Sequence, residues 1–276
     1  MRLPSPELIM QIEQSEKDYM SDRMLAIQER EGNPEGIEMV RFGQALCLYS
    51  RTMPWPSFNT VKGMTSEDRI YLDEIIAFYR SRGRKMQFEM VPSRVDGQLL
   101  AELTRRGLYQ SGFHASTYGV PSKELLSRPD HIEIRKVEEE DFGTYAAIHC
   151  RGTGLPDEGI PHVARNNHVL WRRPGWEFYI AYVSGQPAAA AVMYIRDGIC
   201  SLTFAATLLE YRGQGLHQLL LNTRIARAYQ QNCELVVGQC AFLSQSHRNM
   251  ERAGMKLGYV RTTWTESESA LAVKSS

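Results

Sequence analysis

Seven residues constrain this chain more than any other stretch. Tyr211-Arg212-Gly213-Gln214-Gly215-Leu216-His217 follows an apolar run ending at Thr207. It precedes a segment whose apolar residues at 216, 219, 220 and 225 have helical spacing. A chain that passes from strand through a glycine turn into a helix leaves the first amides of that helix without partners. Those amides and the positive end of the helix dipole bind phosphate, and the glycines let the backbone approach the anion closely. A simple helix-entry turn is the bland alternative. The dinucleotide and Walker patterns both fit poorly. Gln218 stands where a third glycine belongs, and no Gly-Lys-Ser/Thr follows.

The surroundings of the turn narrow the reading. Trp176–Val183, Pro187–Ile195 and Ile199–Thr207 are strand-like, and Ser184-Gly185 and Asp197-Gly198 separate them as turn pairs. They predict an antiparallel meander ahead of the turn, not a βαβ unit. The second half opens with a strand over Ile132–Val137 and a helix over Glu139–Cys150. A loop rich in glycine and proline and a short helix over His162–Leu170 follow. After the turn come a helix over Leu216–Gln230, a strand over Glu234–Val237, a helix over Ser246–Ala253 and a strand over Lys256–Thr265. The last ten residues read as a polar, frayed end.

The first half runs in a similar order. One helix or two span Ser5–Glu31. Strands follow at Ile37–Phe42, Ala45–Ser50 and Phe58–Val61, then a helix capped by Thr65 or Ser66 that runs to about Arg82. A strand over Met86–Val91, a helix over Leu99–Arg106 and one or two strands over Leu108–Val120 complete it. Arg105-Arg106-Gly107-Leu108 echoes Arg252-Ala253-Gly254-Met255, which suggests a divergent internal duplication. The polar stretch Pro121–Asp130 reads as the connector. The expected domains are 1–122, a linker over 123–130, and 131–276.

Composition excludes some partners. Lys+Arg and Asp+Glu are both 32, so nothing global attracts a polyanion, and neither nucleic acid nor a membrane is expected. The longest apolar run, Ala188–Ile195, is far too short to span a bilayer. The first ten residues lack the apolar core of a signal peptide. Cys47, Cys150, Cys200, Cys233 and Cys240 are odd in number and widely spaced, which reads as reduced thiols in a cytoplasmic protein.

On these residues the second half resembles the GNAT superfamily of N-acetyltransferases, whose signature is Gln/Arg-x-x-Gly-x-Gly/Ala. Arg212, Gly213, Gln214, Gly215 and Leu216 fit it, and His217 replaces the final Gly/Ala. Ser246 to Met255 resembles the fourth helix of the family. The resemblance covers about Ile132 to Thr265. The first half resembles the lobe of tandem members that has lost its loop. Lys62-Gly63-Met64-Thr65-Ser66-Glu67-Asp68 has one glycine and two carboxylates, which would repel a pyrophosphate. The implied fold is α/β with a mixed α+β sheet. It has two GNAT-like lobes, each a mostly antiparallel sheet flanked by helices with a splayed strand pair. The implied acyl donor is acetyl-CoA, with no metal. Ala205, Ala206 and Thr207 would meet the pantetheine arm, Gly213 to Gln218 the pyrophosphate, and Ser246 or Asn249 the arm from the other side. Arg212 and His217 are further phosphate partners.

The expected reaction is acetyl transfer to a primary amine, a small molecule or amino acid, in a ternary complex. An alkylammonium is only about 0.04% neutral at pH 7, a gap of roughly 4.6 kcal/mol that a base must cover. The resemblance places a Glu near Gly238 and a Tyr at Met250, and neither residue present transfers a proton. Asp157 and Glu158 are the substitute bases, with His162 and His168 after them, and Tyr259 or Cys240 the substitute acid. A non-catalytic acyl-CoA sensor or scaffold is the alternative. The N-terminal lobe walls the acceptor pocket or forms a homodimer contact.

Overall fold

The computed structural model describes residues 3–266, and the polar tail expected to fray lies outside them. The chain divides into two compact units. One is Thr117–Leu257. The other holds the described residues up to Ser116 and takes the chain back over Gly258–Glu266. The break therefore falls at Ser116/Thr117, earlier than the 123–130 linker read from the sequence. The last strand leaves the second unit because its ladder partner is in the first, with Thr262 opposite Met90 and Thr265 opposite Gln87.

In the N-terminal unit, helix α1 (Pro6–Gln28) is continuous. Its Ser5 cap accepts a hydrogen bond from the Leu8 amide at 3.2 Å, and Pro6 fills a first-turn position that needs no donor. Strands β1 (Ile37–Phe42), β2 (Ala45–Ser50) and β3 (Thr60–Lys62) pair antiparallel in that order. A 3-10 segment over Ser66–Tyr71 leads into α2 (Leu72–Arg80). Strand β4 (Gln87–Met90) joins β3 in parallel, and α3 (Gly97–Arg105) and β5 (Leu108–Gly119) complete the run. Val61, Leu72, Ile75, Phe88, Leu99 and Leu103 form a closed core between helices and sheet.

In the C-terminal unit, β6 (Ile132–Lys136), β7 (Trp176–Val183), β8 (Gln186–Arg196) and β9 (Ile199–Thr207) make the antiparallel meander. Helices α4 (Phe142–Thr153) and α5 (Ile160–His168) lie between β6 and β7 in sequence. Both hairpin turns use left-handed backbone, at Ser184-Gly185 and Asp197-Gly198. Ala188 to Ala191 are fully buried, and such small side chains let helices approach both faces of β8. Helix α6 (Leu216–Gln230) packs Leu219, Leu220 and Ile225 onto one face.

Strand β10 (Leu235–Ala241) then joins β9 in parallel, but only from Leu235/Ile199 to Gly238/Leu202. From Thr203 and Gln239 the two strands are no longer paired, and this splay positions the site. Helix α7 (Gln245–Arg252), capped by the Ser244 hydroxyl, leads to β11 (Lys256–Glu266). A register shift between Val192 and Tyr194 leaves carbonyls exposed on β8 and β9. The buried Arg224 fills it, donating to Val192 O at 2.9 Å, Phe204 O at 3.1 Å and Leu220 O at 3.0 Å. Among the described residues, no helix is long and apolar enough to cross a membrane.

Candidate active site

A groove of about 750 Å³ opens at the splayed end of β9 and β10. Its walls are Gly152, Ala205, Ala206, Thr207, Tyr211, Arg212, Gly213, Gly215, Leu216, His217, Gln218, Gln245, Ser246, Asn249 and Arg252. Eleven residues singled out from sequence are therefore brought together. Gln214 is in the turn but not in the wall.

The turn has the geometry that its glycines suggest. Gly213 and Gly215 have φ of +81° and +79°, which L side chains adopt only with strain. A Cβ at either would meet nothing within 4 Å, so the space in front of the turn is open. Gly215 is the N-cap of α6, and no side chain caps it. The ladder starts with the Leu219 amide bonded to Gly215 O at 3.0 Å. Among the described residues, the amides from Gly213 to Gln218 have no hydrogen-bond partner. Several donors and a helix dipole thus converge on one face of the groove.

Arg212 braces the wall. Its guanidinium donates to Gly152 O at 3.1 Å and Thr207 O at 3.3 Å, tying the end of α4 to the end of β9. Gly152 is required there, since a Cβ would lie 2.9 Å from Ala206 Cβ. On the opposite wall Asn249 Nδ2 is 3.1 Å from His217 Nδ1. With the amide donating, the ring proton sits on Nε2. Burial, aided by the charge of Arg224, pushes the His217 ring down to about 4, so it is a neutral imidazole at pH 7. The Asn249 carbonyl accepts from Gln245 at 2.9 Å and Arg252 at 3.1 Å.

The candidate acids and bases fall elsewhere. Asp157 is held by Arg151 in a two-pronged pair at 3.0 and 2.8 Å, which keeps its carboxyl below the ordinary range and makes it a weak base. Glu158 is exposed beside it and does not line the groove. Cys240 is half-buried on the splayed part of β10, packed against the core, and burial pushes its thiol up. Tyr259 belongs to the N-terminal unit, where burial pushes its phenol up. His162 and His168 are engaged with Arg165 and Glu139. At the root of the splay, a Cβ on Gly238 would lie 2.9 Å from Met250 Cε. Thr117 Oγ1 donates to Gly238 O at 3.0 Å and to Met250 Sδ at 3.3 Å. Methionine therefore occupies the space into which a side chain at 238 would project.

Sequence reasoning missed four wall residues. Arg252 and Gln245 flank Asn249 at helical spacing on α7, and that spacing was the available signal. Tyr211 sits inside the motif itself. Gly152 gives no sequence signal, because its need arises from the approach of β9.

Known structures share this fold. A GCN5-related N-acetyltransferase from Kribbella flavida superposes with a TM-score of 0.65 at 17% identity, over 91% of this chain and 97% of that one. A tandem GNAT protein from the clavulanic acid biosynthesis pathway gives 0.62 at 14% identity, over 91% and 94%. A GCN5-related N-acetyltransferase from Sphaerobacter thermophilus gives 0.60 at 13% identity, over 83% and 75%. The chain thus has the tandem-lobe GNAT fold. No family model matches it. The comparison with curated proteins returns no match either.

Proposed function

We propose that this chain is an acyl-CoA-dependent N-acetyltransferase that holds acetyl-CoA in its C-terminal lobe. The observation that carries this reading is the set of unpartnered amides from Gly213 to Gln218 facing an open groove beside a splayed strand pair. The pyrophosphate takes those amides, with the neutral His217 adding an N–H. Arg252 supplies positive charge from the far wall. The pantetheine arm runs along the unpaired edge of Thr203–Thr207, where it completes the β9 hydrogen bonds that β10 leaves unmade. Ser246 and Asn249 flank it. The acceptor, a primary amine on a small molecule or amino acid, attacks the thioester directly, and a backbone N–H near Ala206 stabilises the oxyanion. The N-terminal lobe, residues 1–122 in the sequence reading, takes no coenzyme.

A second reading, acyl-CoA binding without turnover, draws on the apolar contact of Gly238 with Met250. Thermal unfolding with and without CoA tests the shared premise. Ligand at 100 times Kd adds about 2.7 kcal/mol to the folded state. An unmoved Tm removes both readings. Thiol release from acetyl-CoA with a panel of primary amines separates them, and turnover with any amine removes the sensor reading.

A further inference from the structure

We infer that Arg252 binds the ribose 3′-phosphate of coenzyme A and makes the groove select that coenzyme over donors lacking the phosphate; this rests on the coenzyme reading above. Coenzyme A carries two kinds of phosphate. The diphosphate takes the amides from Gly213 to Gln218. The ribose phosphate is a monoester with a charge of about −2 at pH 7, and it calls for a cation. Among the described residues, the groove wall holds two guanidinium groups and no carboxylate. Arg212 is tied to Gly152 O and Thr207 O, where it braces the β9 side. His217 is a neutral ring. Arg252 is the cation that remains.

Its place on the wall fits the outer end of the ligand. Helix α7 presents Gln245, Asn249 and Arg252 as one stripe, at spacings of four and then three residues. Asn249 stands level with the amide turn, because its side-chain amide meets His217 in the first turn of α6 at 3.1 Å. Arg252 lies one turn further along α7, about 4.5 Å past Asn249. Asn249 and His217 are half-buried and Arg252 is exposed, so the guanidinium stands at the mouth of the groove. The arm runs inward from the turn to the buried Ala206, and the ribose leaves it outward, past that mouth. The guanidinium is also aimed. Its Nη1 donates to Asn249 Oδ1 at 3.1 Å, and Gln245 holds the same oxygen at 2.9 Å. This leaves Nε–H and Nη2–H, the two parallel donors of one edge. Among the described residues that edge meets no acceptor. Its geometry matches two oxygens of a phosphate monoester.

The test is isothermal titration of the full chain with CoA and with dephospho-CoA, which lacks only the ribose phosphate. The wild type should bind CoA about tenfold or more tighter than dephospho-CoA. In Arg252→Gln that ratio should fall to about twofold or less. Equal binding of the two ligands by the wild type overturns the proposal. So does an equal loss of affinity for both in Arg252→Gln, which would put the guanidinium on the diphosphate. A second readout needs no variant. Phosphorus NMR resolves the monoester from the diphosphate, and the guanidinium should hold the bound monoester as a dianion, with its titration midpoint below the free value of about 6. A midpoint at the free value overturns the proposal while leaving the coenzyme reading in place. Binding of neither ligand removes the coenzyme reading and this role with it.

Discussion

Each unit contains a parallel strand pair with a helix start between its two strands, and the two have opposite fates. In the C-terminal unit, β9 and β10 part after Leu202 and Gly238, and a groove lies beside the unpaired end of β9 among the described residues. In the N-terminal unit, β3 and β4 pair only at Thr60/Gln87 and Val61/Phe88. Just beyond, Lys62 pairs with Glu89 and with Glu16 at 2.9 Å, and Arg261 pairs with Glu16 and with Glu89 at 2.9 Å. The helix starts differ in the same sense. Asp68, three residues into the 3-10 segment, accepts from the Thr65 amide at 2.8 Å and the Gln44 amide at 2.9 Å. Gly43 must lack a Cβ for that carboxylate to approach. Two glycines and no carboxylate leave the other turn open. A turn is closed to an anion when its amides are met from within, as Asp68 meets those of Thr65 and Gln44, and not only when it carries the wrong charge.

The filled slot is the place for the largest effect. Lys62→Met would leave two buried carboxylates sharing Arg261, and breaking a buried network of this kind costs about 3–5 kcal/mol. Urea unfolding at pH 7 measures it. A loss under about 1 kcal/mol would show that the network does not hold the slot shut. The same network has an acid signature. Burial pushes the Glu16 carboxyl up, but Arg261 and Lys62 pull it further down, to about 2. Its contribution is present above the unfolded carboxylate pKa, about 4.3, and is lost as pH falls toward 2. That acid-induced loss should be shallower in Lys62→Met.

Next in size is an exchange of turn chemistry. Gln218 holds the same helix position as Asp68, three residues past the cap. Gln218→Asp should bring a carboxylate back onto the Gly215 amide and raise apo stability by up to about 1 kcal/mol. The same carboxylate should weaken CoA binding by about 3 kcal/mol, roughly 100-fold. Isothermal titration decides it. Unchanged affinity would mean that the pyrophosphate does not rest on this turn. A smaller contrast comes from the glycines. Gly63 and Gly213 both have positive φ, so alanine at either costs about 1–2 kcal/mol. Gly63→Ala should cost more, since its Cβ would lie 2.9 Å from Lys17 Cδ while that of Gly213 meets open space. Equal urea midpoints would remove the distinction between a filled and an open turn.

The open site was more legible in sequence than the filled one because its parts are close together. Gly213 and Gly215 and the apolar spacing after them announce a turn, and α6 and β9 fall where the pattern puts them. The filled slot draws Glu16, Lys62, Glu89 and Arg261 from segments up to 245 residues apart, and no local pattern joins them. Tyr259 shows the same limit. Counted along the chain it follows α7, but the ladder of β11 with β4 carries it into the N-terminal unit. Gly238 and Met250 were visible as departures from an acid–base pair. Their mutual fit was not, because it depends on a separation across the fold.

The smallest effect tests whether the open groove carries a neutral imidazole. Among the described residues, His217 lines the open groove, and no histidine lines the filled slot. Because burial and Arg224 hold the ring at about 4, the unfolded chain binds its proton first as pH falls below the usual histidine value. The folded state is therefore favoured above about pH 6.5 and loses that advantage as pH drops toward 4. Between pH 7 and 6 the loss is under about 1 kcal/mol. His217→Gln keeps a donor for phosphate and an acceptor for Asn249 but removes the titration. Its urea midpoint should fall less than that of the wild type over this interval, while its affinity for CoA stays within a few-fold. Parallel pH profiles for the two proteins would mean that the ring titrates in the fold as it does in the unfolded chain. The groove would then gain a cation at His217 as pH falls through about 6.5, and phosphate binding would strengthen toward acid pH instead of staying level.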